Sequence, residues 1–286
     1  MKLRVSHLTR YHYDQTVGFT PHSLYLRPRE SAALRIADYT LDVQPGGKVV
    51  HLRDAQDNNM ARAYIWDRGD TLTIDSRFTA ETLDANPFDF LLKSRALKFP
   101  FTYDPDSDFA LSPYLIPPAA PVQAALRDWL ATHLPDPPDE TVPYVTRLAD
   151  LLFKTIAYAR REEEGIQTSR ETIALGSGAC RDTAVFACEL FRTLGVAARF
   201  VSGYLYAPPG DDHASRGAMH AWIELYLPGA GWKAIDPTHG VFCDDCYIPV
   251  AHSARPESVN PIQGGIANDQ PATARMEADI LIEKLA

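Results

Sequence analysis

The chain has 286 residues, 45% of them hydrophobic, and carries 28 Lys and Arg against 37 Asp and Glu, a net charge of −9. That length suits one large or two ordinary domains, and the acidic balance argues against nucleic acid and anionic membrane surfaces, which attract basic patches. No apolar run reaches the roughly 18 residues a transmembrane helix needs, "MKLRVSHLTRYHYDQ" lacks a signal-peptide core, and four cysteines are too few for a disulfide scaffold. The expectation is a cytoplasmic protein with free thiols.

Residues 1 to about 85 read as β. In "TLTIDSRFTAET", Leu72, Ile74, Phe78 and Ala80 fall on one face, and Thr71, Thr73, Asp75, Arg77 and Thr79 on the other. That period of two marks a half-buried antiparallel strand. With "RVSHLTRYHY", "ADYTLDVQPGG" and "RAYIWD" it predicts a small sandwich or barrel-like unit. Residues 86–121 hold seven prolines, from Pro87 to Pro121. Proline removes a backbone donor and restricts its predecessor, so this stretch is read as an extended connection at a domain boundary.

Helical periods follow. Val122, Ala125, Leu126, Trp129 and Leu130 make one apolar stripe, and Val145, Leu148, Leu152 and Ile156 another. Thr168 and Glu171 form a capping box. In "GSGACRDTAVFACELFRTLG", Ala184, Ala187, Leu190, Phe191 and Leu194 make a buried stripe; the helix opens at Cys180 and stops at Gly195. Strands then dominate. Helices followed by an antiparallel sheet give an α+β pattern, with a β-domain and its connection over residues 1–115 and a second domain over 116–286.

Cys180 would occupy the first turn of its helix. Unpaired backbone N–H groups and the positive end of the dipole favour a thiolate there, and the same N–H groups can serve an oxyanion. Gly176 and Gly178 let backbone and substrate approach closely. Taken alone, Cys180 fits a small core residue as well as a nucleophile. The strand "AMHAWIELYL" puts His220, Trp222, Glu224 and Tyr226 on one face, and "GWKAIDPT" puts Trp232, Ala234 and Asp236 on one face. A hairpin whose loop spans Leu227–Gly231 sets Trp222 opposite Asp236 and leaves His220 one diagonal step away. A thiol, an imidazole and a carboxylate are the parts acyl transfer needs.

Together "GSGACRDTAVFACELFRTLGVAARFVSGYL" and "MHAWIELYLPGAGWKAIDPTHG" resemble the core of the transglutaminase-like superfamily, the papain-like group of Cys-His-Asp enzymes. "HLTRYHYDQTV" and "NPFDFLL" resemble the β-domain that precedes this core in a bacterial branch. The resemblance implies Cys180 as nucleophile, His220 as general base and acid, Asp236 as orienter, and neither cofactor nor metal. The implied partner is a peptide or protein substrate, attacked at an amide through a Cys180 thioester, with water as the default acceptor. An amine-transferring transglutaminase is the first alternative and an inactive peptide-binding module the second. Trp222 and Glu224 are candidate substrate-binding residues, suited to an apolar stem or a cationic amine. Gly178 and Gln167 are candidates near the thiol. Cys243 and Cys246, flanked by His239 and His252, allow a zinc site to be drawn, but zinc motifs pair two half-sites and a plain loop is the preferred reading. "DDHASRGAMH", with His213, is read as a solvated loop beside the cleft.

Overall fold

The computed structural model describes residues 1–83, 85–161, 163–207, 219–267 and 271–285. Strands β1 (Lys2–Phe19), β2 (His22–Leu24), β3 (Leu34–Gln44), β4 (Gly47–Arg53), β5 (Asn59–Ile65) and β6 (Gly69–Thr82) open the chain. The central one, β6, keeps the alternation read from its sequence as far as Arg77, with Leu72, Ile74 and Ser76 buried and Arg77 exposed; beyond it Phe78, Thr79 and Ala80 are all buried, so Thr79, read onto the other face, is covered as well.

The proline-rich segment is not wholly extended. It contains α1 (Pro105–Leu115), whose N-cap Asp104 accepts from the Ser107 N–H at 3.0 Å. Pro105 stands at the start, where no backbone donor is needed, and Asp106 and Asp108 complement the dipole. Proline counts alone concealed these helix-start signals. Helices α2 (Ala120–His133) and α3 (Thr141–Thr155) follow, then β7 (Ala157–Tyr158), α4 (Ser169–Leu175), β8 (Ser177–Gly178) and α5 (Cys180–Thr193). Both sides of the Thr168–Glu171 capping box form, and Gly195 takes a φ of +79° just past α5.

A further sheet is built from β9 (Ala198–Leu205), β10 (His220–Leu227), β11 (Gly231–Asp236), β12 (Val241–Phe242) and β13 (Tyr247–Ser253), in the order β12-β11-β10-β9-β13. It is antiparallel throughout. Helix α5 packs across β9 and β10, burying Ala184, Ala187 and Phe191 against Ile223, Leu225 and Leu227. The fold is α+β, helices on an antiparallel sheet behind an N-terminal β-unit.

The chain then returns. Strands β14 (Ile262–Gln263), β15 (Ile266–Ala267) and β16 (Ala274–Lys284) rejoin the first unit: β14 pairs with β2, and β15 and β16 with β1. Residues beyond 261 thus complete the N-terminal sheets, so the simple division at residue 115 does not describe the packing. The two sheets of the first unit enclose Val17, Leu24, Leu26, Leu72 and Ile74. At their other end Leu3, Val5, Phe78 and Ala80 enter the same apolar cluster as Leu148, Phe186, Tyr204 and Ile223. One continuous core therefore joins the units, and the β-unit buttresses the sheet that carries His220. Among the described residues no helix is long and apolar enough to cross a membrane.

His7 lies in this seam. Its Nδ1 is 2.9 Å from the Tyr204 hydroxyl and its Nε2 3.1 Å from the Thr9 hydroxyl. Burial holds its pKa down at about 4, against a smaller opposing pull from Asp75. Between pH 6.5 and 4 the unfolded chain takes up a proton that the folded chain refuses, so stability falls as pH falls through that window, by up to about 3 kcal/mol. His7→Gln should shrink the loss of thermal midpoint between pH 7 and 4.5, measured by circular dichroism. An unchanged loss would contradict a neutral, buried His7.

Candidate active site

Cys180 is the first residue of α5, as its spacing ahead of the apolar stripe predicts. What fixes that helix start is Asp182. Its carboxylate, with no solvent exposure, accepts from the Ala179 N–H at 2.9 Å and from the Gln167 N–H at 2.8 Å. Arg161 closes the network, 2.8 Å from both oxygens. Asp182 is therefore more than a first-turn acid: it ties three separate segments around the thiol. The Cys180 backbone N–H has no protein acceptor among the described residues, which leaves it available to an oxyanion.

His220 begins β10 and is almost wholly buried. Its Nε2 lies 2.6 Å from Asp236 Oδ2, and Cys180 stands near enough to act on the ring. With Nε2 engaged by the carboxylate, Nδ1 is the nitrogen left for the thiol. The hairpin parity explains the reach. Ile223 opposes Ile235 and Leu227 opposes Gly231, so the pairing places Trp222 across from Asp236. Burial would lower the His220 pKa, but the Asp236 charge and hydrogen bond outweigh it, with Cys180 adding to them, and the net shift is upward. Burial would likewise raise the Asp236 pKa; the His220 charge and the hydrogen bonds from His220 and His239 instead hold it well below the usual carboxylate range.

Asp236 has further partners that the sequence reading missed. Oδ2 also accepts from His239 Nδ1 at 2.6 Å and from the Tyr247 hydroxyl at 2.9 Å, while Oδ1 accepts from the Thr238 N–H at 2.8 Å. His239 thus faces the triad and not the two cysteines. Among the described residues Cys243 joins no cluster of metal-ligating atoms, and Cys246 groups only with Asp244 and Asp245. The ligand-type atoms of His220, Asp236 and His239 lie within 4.8 Å of one another. Their 2.6 Å contacts are hydrogen-bond lengths, shorter than the roughly 3.3 Å between nitrogen and oxygen ligands of tetrahedral zinc.

The expected substrate-binding residues fare differently. Gly178 is buried in β8, where a Cβ would come within 2.9 Å of Asp182 and 3.1 Å of Gln167 Oε1. Gln167 therefore does pack beside the thiol's helix start, and its Oε1 accepts from Thr172. Trp222 is not an open wall. Only 1% exposed, it lies over Gly203 and meets Tyr247 edge-on at 5.3 Å between centroids, so it props the triad from behind. Glu224 is not available to a cationic amine either. Arg199, its direct neighbour across β9–β10, binds it at 2.6 Å and lays its guanidinium 4.0 Å over the Trp232 ring. A cavity of about 420 Å³ lies between these residues and the loop at Arg29–Leu34; it reaches Trp222 and Tyr247 but neither Cys180 nor His220. The half-exposed Tyr158 of β7 stands on the thiol side, where burial and the Cys180 charge both raise its pKa. His213 lies outside the described residues.

The family model described as transglutaminase-like superfamily matches residues 130–237, and that of the bacterial transglutaminase-like N-terminal region matches residues 3–81. The chain belongs to the transglutaminase-like superfamily. Cysteine-dependent chemistry in general comes with that membership. An uncharacterized protein of Mycobacterium tuberculosis is 27% identical over 311 residues, spanning 98% of this chain and 92% of that protein. One from Mycobacterium leprae is 33% identical over 109 residues, 37% of each chain. A Cytophaga hutchinsonii structure described as a candidate cysteine protease covers 100% of this chain and 92% of its own, with a TM-score of 0.74 and 17% identity, a likeness of fold.

The other thiols set a comparison. Burial raises the pKa of Cys188 to about 12 and that of Cys243 well above its ordinary value. Burial and nearby Asp244 raise Cys246 to about 12. At neutral pH iodoacetamide should therefore modify Cys180 before the other three, mapped by mass spectrometry, and His220→Ala should slow that step. Equal rates at all four cysteines would contradict an activated Cys180.

Proposed function

We propose that the chain is a cysteine-dependent amide hydrolase acting on peptides. The observation that carries this reading is the line Cys180–His220–Asp236, in which a buried imidazole hydrogen-bonded to a buried carboxylate stands beside a helix-start thiol. Cys180 Sγ attacks the amide carbon as His220 Nδ1 takes the thiol proton. The tetrahedral oxyanion meets the Cys180 N–H. His220 then gives its proton to the departing amine, leaving a thioester on Cys180. Water, deprotonated by His220, attacks the thioester carbon; the thiolate leaves and recovers the proton, and a carboxylic acid departs.

A peptide is favoured by the backbone beside the thiol. Strand β7 pairs with β8 along one edge only, through Ala157 and Ala159 N–H groups, and the Tyr158 N–H takes no acceptor among the described residues. An extended chain can add to such an edge.

Hydrolysis is favoured over amine transfer by the Arg199–Glu224–Trp232 cluster. An amine at millimolar concentration competes with water at about 55 M, so it needs an advantage of about 6 kcal/mol to break even. The acidic and aromatic groups that would recruit it are already satisfied by the chain's own guanidinium. A peptide amide turned over with 1–10 mM alkylamine present should give mainly the free acid, read by mass spectrometry. A dominant amine adduct would instead assign the chain as an amine-transferring transglutaminase, and no turnover of a broad peptide library would favour a binding module.

A further inference from the structure

Asp236 is held by more than its catalytic partner. Four donors converge on its two oxygens: His220, His239 and Tyr247 on Oδ2, and the Thr238 N–H on Oδ1. The donors match in number the roughly four acceptor sites of a carboxylate, but three of them crowd onto Oδ2. A buried carboxylate could be satisfied by backbone amides alone. Here two side chains are aimed at the same oxygen that His220 uses, from different parts of the chain.

His239 arrives locally. The turn after β11 is closed by the Gly240 N–H on the Asp236 carbonyl at 2.8 Å. Gly240 adopts a φ of +71°, and a Cβ there would meet Phe153 at 2.9 Å, so glycine is required on both counts. That turn swings His239 Nδ1 back onto Oδ2. Tyr247 arrives from the far edge of the sheet, at the start of β13, passing against the Trp222 ring.

We propose that His239 and Tyr247 are positioning residues for the acyl transfer, locking the Asp236 carboxylate so that Oδ2 faces His220 Nε2 throughout the proton shuttle. The proposal rests on the acyl-transfer reading above. A carboxylate held only by His220 and, on its other oxygen, the Thr238 N–H could pivot about Oδ1 with the ring as His220 takes and returns its proton. Bonded from two further directions, it holds the ring to the frame of the protein, and Nδ1 stays on the thiol. Hydrogen bonds that orient metal-ligating histidines and carboxylates are worth about ten- to a hundredfold in affinity or activity, and the orienting geometry here is of the same form.

The test reads Cys180 alkylation, which needs no known substrate. His239→Ala and Tyr247→Phe should each slow iodoacetamide modification of Cys180 about tenfold. His239→Asn, whose side-chain amide nitrogen can occupy the place of His239 Nδ1, should stay within about threefold of the unaltered protein. Thermal midpoints recorded on the same samples establish that each is folded. Tyr247→Phe carries the test should His239→Ala fail to fold. Alkylation of the folded variants at the unaltered rate, or His239→Asn no faster than His239→Ala, would overturn the proposal. If Cys180 of the unaltered protein reacts no faster than Cys188, the acyl-transfer reading itself is what fails.

Discussion

The Asp236 carboxylate is wholly out of water, and an ionised carboxylate persists there only when donors surround it. That constraint organises the site. The β10–β11 register must bring Asp236 to the His220 edge, the turn to Gly240 must deliver Thr238 and His239, and β13 must deliver Tyr247. Each donor depends on a different level of structure: hairpin pairing, a tight turn, and sheet order. Losing any one leaves a buried charge short of a partner, which is a large cost against the marginal stability of a protein.

The thiol side depends on a second buried carboxylate. Asp182 binds Ala179, Gln167 and Arg161 at once, so the helix start, the approach to α4 and the segment after β7 are tied to one carboxylate. Between the two carboxylates the helix presents Cys180 to the imidazole. Behind them the N-terminal sheets stiffen the arrangement. Leu3, Val5 and Phe78 share a core with Tyr204 and Ile248, and β16 from the end of the chain locks β1 in place. The β-unit is thereby part of the wall that holds β9, and through β9 the histidine strand.

Much of this was legible in the sequence because it is local. A period of two identified β6, β10 and β11; a 3.6 period and a glycine stop identified α5; odd loop parity placed Asp236 near His220. The misses are non-local or masked by a stronger signal. Tyr247 reaches Asp236 only through the order of the sheet, and Arg199 faces Glu224 only through the β9–β10 register, neither of which a linear pattern encodes. The return of β16 to β1 pairs residues at opposite ends of the chain. Helix α1 was hidden by its prolines, although Asp104 and Pro105 carried an ordinary helix start. His239 was another miss with a nearby clue. It follows Asp236 by three residues across a glycine-closed turn, but beside the C-x-x-C it reads only as a zinc ligand or part of a plain loop, and not as a partner of Asp236.

The central claim is that Cys180 becomes acylated, and it can be tested without knowing the natural substrate. The protein would be mixed with an activated acyl donor such as a peptide thioester or nitrophenyl ester, quenched in acid within seconds, and weighed intact. The account predicts a mass increase of one acyl group, mapped to Cys180, that appears before product and decays by hydrolysis, and that is absent in Cys180→Ala. Product formed with no adduct, or an adduct that maps to Cys188, Cys243 or Cys246, would contradict it.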